Sequence, residues 1–351
     1  MSRRCAQPIG ALFALAALFV APAAARTVSG GLRIVWIDVE GGAATLVIAP
    51  SGESLLMDAG WPGARDAERI TKAATAEGLA RIDHLVISHF HSDHWGGVAE
   101  LARALPIGRV YDRGLPEPDA ESADRRILPE LRAAYLAATG GKSTVLEAGE
   151  RVPLAGVEVE VLCANGLVAG EPRGAPQTRP CRATPVHPAH ADDETDNALC
   201  LGLLFRLGEF EFLDLGDLTW NVEHKLVCPE NTIGVIDVYQ VTHHGHDDSN
   251  NPALLAAVQP TVAVVGNGAR KGCSAPVFGW LRASPGLADV FQLHRNVTTG
   301  RADNSAPELV ANDEEDCHGE PIRLTLDPAG ASYTLEVPSK GTRRTYAVKA
   351  R

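Results

Sequence analysis

The chain has 351 residues, 45% of them apolar and 22% charged, a composition that excludes a disordered or low-complexity protein and leaves ample material for a buried core. It holds 44 acidic against 32 basic residues, a formal charge of −12, which argues against strong non-specific binding to nucleic acid or to an anionic membrane surface.

Residues 1–25 stand apart from the rest. Arg3 and Arg4 precede an apolar run over 9–21, and Ala23, Ala24 and Ala25 supply small residues for cleavage before Arg26. This is the layout of a signal peptide, so a periplasmic or secreted protein with no membrane attachment after cleavage is expected. A transmembrane anchor competes, but the run is short and contains Gly10. Losing Arg3 and Arg4 would leave 30 basic against 44 acidic residues, a formal charge of −14. Six cysteines would remain: Cys163, Cys181, Cys200, Cys228, Cys273 and Cys317. An even number in an exported chain predicts up to three disulfides, with buried free thiols as the alternative. None lies in a CxxC, which argues against a thiol-based metal or redox centre.

From 26 to 351 no low-complexity linker divides the chain, and one α/β domain with a C-terminal β extension is expected. β-type runs over 32–39, 44–49 and 54–58 are separated by Gly41-Gly42 and by 50–52, the pattern of an antiparallel meander. A helical pattern over 63–79 gives way to a buried strand over 82–87, which feeds into Ser-His-Phe-His-Ser-Asp-His-Trp-Gly-Gly at 88–97. Helical spacing resumes after Gly97. A second cycle begins with a helix over 123–138 and strands over 143–147 and 157–162. Residues 163–196, rich in Pro and Gly, read as a long surface loop near a site. An apolar hairpin follows over 199–215, ending at Gly216-Asp217. A helix over 220–227 then leads to a strand over 235–241 that ends on Thr242-His243-His244-Gly245. Helices at 252–258 and 275–283 alternate with strands at 261–265 and 290–293, and the tail closes with strands near 321–326, 332–337 and 343–348. The whole suggests two similar halves.

His89 and His91, two apart at a strand end, would project to the same side and share one ion; Asp93 and His94, beyond the turn, would face a second. Imidazole and carboxylate suit zinc, with manganese or iron as alternatives. Gly96 and Gly97 are expected to let the backbone turn tightly behind these ligands. Three histidines and an aspartate in six residues, directly after an apolar strand, favour metal over a solvated loop. Asp217 follows another apolar strand, where a nearby cation would offset the cost of burying a carboxylate; a helix cap is its alternative. His243 and His244 end a third such strand. One is expected as a ligand and the other as a supporting group or proton donor, with His246 a further candidate.

His89-Phe-His-Ser-Asp-His94 fits the HxHxDH signature of the metallo-β-lactamase superfamily, and residues 32–300 resemble that superfamily in order. The resemblance implies the αββα sandwich, with Asp58 supporting the ligand loops and Asp217 bridging two ions. It implies His89, His91, Asp93, His94, Asp217 and His243 as metal ligands, and two divalent ions as cofactors. Within the superfamily the chain resembles the metal-binding domain of the DNA-uptake competence channel protein and cell-wall phosphorylcholine esterases. The features are IDVEGGAATLVI, the segment around Asn197, and THHG followed by Ser249 and Pro252. That branch lacks the usual third-motif histidine, as this chain does. His187 and His190 are possible substitutes, so the His89 and His91 side lacks an assigned partner.

Two ions would acidify a shared water to a metal-bound hydroxide, from which Asp93 could accept a hydrogen bond or for which it could relay a proton, while His244 or His246 protonates a leaving group. Hydrolysis is therefore the expected reaction class, and because the branch resembled includes nuclease and phosphocholine-ester activities, the resemblance implies an exported hydrolase acting on a phosphodiester-type bond in a small or polymeric ester. Arg270, Lys271, His294 and Arg295 are candidate phosphate contacts, with a solvated loop as the alternative. A lactone or β-lactam hydrolase and a non-catalytic metal-binding protein are the competing functions. The stretch 295–319, with its acidic run at 312–317, reads as a solvated acidic loop, with a lid, a calcium-binding loop or a disulfide-tied loop as the alternatives.

Overall fold

The computed structural model describes residues 30–116, 129–170, 173, 181, 193 and 195–351. The expected signal peptide, His187 and His190 lie outside these residues. Among the described residues the strands form two mixed sheets. In the first, β1 (Arg33–Trp36), β2 (Thr45–Ile48) and β3 (Ser54–Met57) make the expected antiparallel meander. β4 (Ile82–Val86), β5 (Ile107–Asp112) and β6 (Thr144–Val145) continue it in parallel. The second sheet pairs β7 (Glu158–Ala164), β8 (Leu167–Val168), β9 (Gly202–Leu207) and β10 (Phe210–Asp214) antiparallel. Parallel strands β11 (Val238–Gln240), β12 (Val262–Val265), β13 (Asp289–His294) and β14 (Val310–Asn312) complete it.

The tail strands β15 (Ile322–Leu326), β16 (Ser332–Val337) and β17 (Thr342–Ala347) are not an appendage. β15 lies antiparallel to β1, with Ile34 opposite Leu324, so the first sheet runs β17-β16-β15-β1-β2-β3-β4-β5-β6. The chain end thus closes the sheet in which it began.

Alternation on the strands builds the layers. Ile34 and Trp36 point between the sheets, where they meet Phe205, Phe212 and Val264, and the Trp36 and Phe212 rings pack edge to face with centroids 5.6 Å apart. Val35, between them, faces the other way. There α1 (Ala64–Ala76), α2 (Ser92–Trp95), α3 (Val98–Ala104) and α4 (Pro129–Thr139) cover the first sheet through Ile70, Trp95, Leu101 and Tyr135. On the far side α5 (Trp220–Val227), α6 (Pro252–Val258) and α7 (Ala275–Ala283) cover the second sheet through Leu226, Leu254 and Val277. The architecture is αββα. No helix among the described residues is long and apolar enough to cross a membrane.

One cysteine pair among the described residues is bonded, Cys181–Cys228; Cys163, Cys200, Cys273 and Cys317 are free. The described cysteines thus form one disulfide of the up to three allowed, and Cys163, Cys200 and Cys273 are the buried free thiols of the alternative. β3 and β4 run parallel, as do β10 and β11, so the loops after all four leave from strand carboxyl ends, where open α/β sheets place their sites.

Candidate metal centre

β4 stops at Val86, so His89 and His91 sit on the loop beyond it rather than on the strand. That loop is fastened from below. Asp58, at φ 63°, accepts the Ser88 amide on Oδ1 and the Ser88 hydroxyl on Oδ2, each at 2.7 Å. His91 is the N-cap of α2, whose single turn carries Asp93 and His94. The two glycines that follow have ordinary φ values, −58° and −80°, which corrects the expectation of a special turn. They are required by close approach instead: a Cβ at Gly96 would lie 2.2 Å from Ser92 O, and one at Gly97 2.2 Å from Ala59 O.

Four donors converge: Asp93, His94, Asp217 and His244, all buried. His94 Nε2 lies 3.1 Å from Asp217 Oδ2, 3.5 Å from Asp93 Oδ2 and 3.2 Å from His244 Nε2. His244 Nε2 is 3.3 Å from each carboxylate oxygen. Bonds of about 2.0–2.1 Å in a tetrahedral zinc site would set donors roughly 3.3–3.4 Å apart, so these atoms already stand near the corners of such a site. The outer nitrogens are fixed as well. His94 Nδ1 is 2.7 Å from Asp58 Oδ2 and His244 Nδ1 is 3.0 Å from Gly266 O, which leaves both Nε2 lone pairs facing inward.

The field demands positive charge. Burial alone would raise both carboxyls, but His94, His244 and Lys271 hold Asp93 well below its ordinary range, and His244, His94 and His243 do the same for Asp217. Burial opposes charge on His94, yet Asp217, Asp93 and Asp58 raise its pKa well above normal. A divalent cation would meet the same demand. His89 differs: burial, then the His94 and His91 charges, depress it well below normal, and its buried Nε2 has no hydrogen-bond partner. An orphaned imidazole nitrogen in a dry site fits a metal ligand.

His243 and His244 sit in the left-handed region, both at φ 52°. Two consecutive left-handed residues turn the chain so that neighbouring rings flank Asp217 rather than alternate across a strand. Asp217 Oδ2 is therefore within 4.0 Å of four ring nitrogens: His94 at 3.1, His244 at 3.3, His243 at 3.6 and His89 at 4.0 Å. This geometry does not match His244 as proton donor, since both its nitrogens are committed. His243 stands outside the quartet, its Nδ1 2.7 Å from Asp248 and its Nε2 3.3 Å from Asn197 Nδ2. The His91 ring packs edge-on against His89, with centroids 4.5 Å apart. β10 ends at Asp214, and Asp217 is reached through a turn at Gly216.

A sequence model of the metallo-beta-lactamase superfamily matches residues 37–162, the stretch that carries Asp58 and the whole 88–95 loop. Residues 37–162 thus carry the pattern of a metallo-β-lactamase superfamily domain. Outside the family model, the chain is 26% identical over 237 residues to recombination protein 2 of Haemophilus influenzae, covering 66% of this chain and 24% of that protein. It is 30% identical over 122 residues to hydroxyacylglutathione hydrolase of Synechococcus sp., covering 31% of this chain and 40% of that protein. It thus spans less than half of either relative. Among solved structures, Tm1679, a metal-dependent hydrolase of the beta-lactamase superfamily, aligns with a TM-score of 0.46 at 15% identity, over 75% of this chain and 96% of that one. CmlA, a diiron beta-hydroxylase from Streptomyces venezuelae, aligns with a TM-score of 0.39 at 20% identity, over 66% and 44%.

Around the metallo-β-lactamase ligand loop the structure adds residues that sequence reasoning passed over. Asp196 Oδ2 accepts the Phe90 amide at 2.5 Å, between His89 and His91, and its other oxygen pairs with the buried Arg113 guanidinium. The signal was an acid inside the segment around Asn197, legible only as a likeness. Of the four candidate phosphate contacts, Lys271 alone reaches the site: its ammonium contacts Asp93 Oδ2 and lies 5.1 Å from the Trp61 ring centroid. Arg270 is exposed and pairs with Glu315 at 2.7 Å, Arg295 binds Asp313 O, and His294 is buried against Asp38. His246 is partly buried; burial and the His243 and His244 charges lower it to about 4, so it carries no proton to give near neutral pH.

Proposed function

We propose that this protein is an exported metal-dependent hydrolase that cleaves a phosphodiester-type bond using two divalent ions, zinc by the character of the donors. The observation that carries this reading is the quartet of Asp93, His94, Asp217 and His244, with donor separations of 3.1–3.5 Å and Nε2 lone pairs turned inward. His89 and His243, with Asp217 between them, are the residues that would hold the second ion, with His91 beside His89. His243 then takes the place that His187 and His190 were candidates to fill.

A divalent ion bound here would supply an acidified water and an electrophile for a phosphoryl oxygen. Asp93 is placed to take a proton, because its carboxylate lies between the ligand set and the rim. Lys271, at that rim, offers an ammonium to the anionic oxygens of a diester. The similarity to a protein named for recombination supports a phosphodiester substrate and the competence-channel branch. The Cys181–Cys228 bond supports an oxidising compartment outside the cytoplasm.

A second reading, hydrolysis of a lactone or related carboxylic ester, is favoured by the similarity to a hydroxyacylglutathione hydrolase. The test is purified protein with counted metal, offered bis-(p-nitrophenyl) phosphate, single-stranded DNA, a cephalosporin and a simple lactone. Diester cleavage that disappears in Asp217→Ala supports the first reading. Lactone turnover without diester cleavage overturns it in favour of the second, and protein that binds no metal overturns both.

A further inference from the structure

We propose that Asp38, His294 and Cys317 form an additional transition-metal site, separate from the centre around Asp217. The fold brings them together from three places: the loop after β1, the end of β13 and the acidic stretch before β15. Cys317 Sγ lies 3.3 Å from Asp38 Oδ2 and 3.8 Å from His294 Nε2, and His294 Nε2 lies 2.8 Å from Asp38 Oδ1. Tetrahedral bonds of about 2.0 Å to nitrogen or oxygen and 2.3 Å to sulfur put such donors roughly 3.3–3.6 Å apart. The 3.3 Å contact falls in that range, the 3.8 Å one is slightly long, and the 2.8 Å one is short because a shared proton holds it closed.

The contacts show which hydrogens a metal would displace. Cys317 donates its thiol hydrogen to one oxygen of Asp38, and the His294 ring donates to the other. A divalent ion bound here would take the place of both hydrogens, with Cys317 as thiolate and the His294 Nε2 lone pair turned to the ion. Arg69, at 3.1 Å from Asp38 and 2.9 Å from Glu40, and Arg65, bonded to Glu40 and Asp66, keep the surrounding carboxylates balanced before and after. His294 Nδ1 is buried without a partner in either state, so ligation creates no new orphan.

Cys317 also differs from its fellow free cysteines. Cys163, Cys200 and Cys273 are buried, and burial is the leading cause that raises the pKa of each. Cys317 is partly exposed, whereas Asp38 and His294 are buried, so the thiol is the member of the cluster that solvent reaches. The absence of a CxxC argued against a thiol centre in the sequence; here one thiol suffices, because the fold supplies the imidazole and carboxylate.

Cobalt separates this site from the other. The Asp217 centre has no sulfur donor, so a sulfur-to-cobalt charge-transfer band in the near ultraviolet can arise only where a thiolate binds. The expected result is that metal-free full-length protein, its Cys181–Cys228 bond intact and its Cys317 thiol free, develops this band on cobalt addition. Cys317→Ser loses the band and the cobalt bound with it, and keeps the wild-type circular dichroism and hydrolytic activity. The proposal is overturned if wild-type protein with a titratable Cys317 thiol shows no such band at saturating cobalt, or if the band survives unchanged in Cys317→Ser. Neither readout depends on the hydrolase reading.

Discussion

Asp58→Asn isolates how the ligand set is held. The backbone at 58 is left-handed at φ 63°, a conformation asparagine accepts, and the side chain keeps its shape, so only hydrogen-bond polarity changes. Asp58 now accepts the Ser88 amide, the Ser88 hydroxyl and the His94 Nδ1 proton. An asparagine that keeps its oxygen under the Ser88 amide turns its NH₂ towards His94 Nδ1. The imidazole then carries its proton on Nε2, pointed at the centre of the quartet. Disturbing such a partner costs about 10–100-fold in metal affinity, or about 1.4–2.7 kcal/mol. Competition for zinc against a chromophoric chelator measures the loss, and thermal unfolding of the metal-free protein checks that the fold survives. A folded Asp58→Asn protein with wild-type zinc affinity would refute the argument that Asp58 sets the His94 tautomer.

Four further outcomes are expected. His244→Ala should lose the ion of the quartet together with hydrolysis, whereas His243→Ala should keep that ion and lose a second equivalent; metal analysis showing the reverse would return His243 to the quartet. Trp36→Ala removes the ring that meets Phe212 between the sheets and should cost about 3–5 kcal/mol in chemical denaturation. Replacing both Cys181 and Cys228 by Ser opens a 47-residue loop and should destabilise by up to about 4 kcal/mol, measured with and without reductant for wild type. In chelator-treated protein, His294 has its pKa raised from 6.5 to about 9, so its contribution is whole below about pH 6.5 and fades as pH rises through about 9. That contribution is at most about 3 kcal/mol, and Asp38→Asn should flatten the alkaline fall in unfolding free energy.

The layers were legible because strand periodicity is local: Ile34 and Trp36 against Val35 is a reading of three residues. The ligand loop was legible because its residue types are chemically loaded and adjacent. The order of His243 and His244 was not, since it depends on two successive left-handed residues, a conformation no side chain there announces. Gly96 and Gly97 were identified correctly as required but for the wrong reason, because besides Ser92 O at Gly96 what approaches them is Pro62 and Ala59, which are invisible in their own neighbourhood. The cluster of Asp38, His294 and Cys317 spans 279 positions and no spacing rule reaches it. The tail looked like an extension because its pairing partner, β1, is at the other end of the chain.

The centre draws Asp93 and His94 from a loop of the first sheet, and Asp217, His243 and His244 from loops of the second. Neither sheet alone offers the quartet. A chain in which only β1–β6 have paired therefore has at best half of the quartet, Asp93 and His94, and the site is complete only once the two sheets have stacked. An ion held by the quartet would act as a rivet across the sandwich, tying a loop of one sheet to loops of the other.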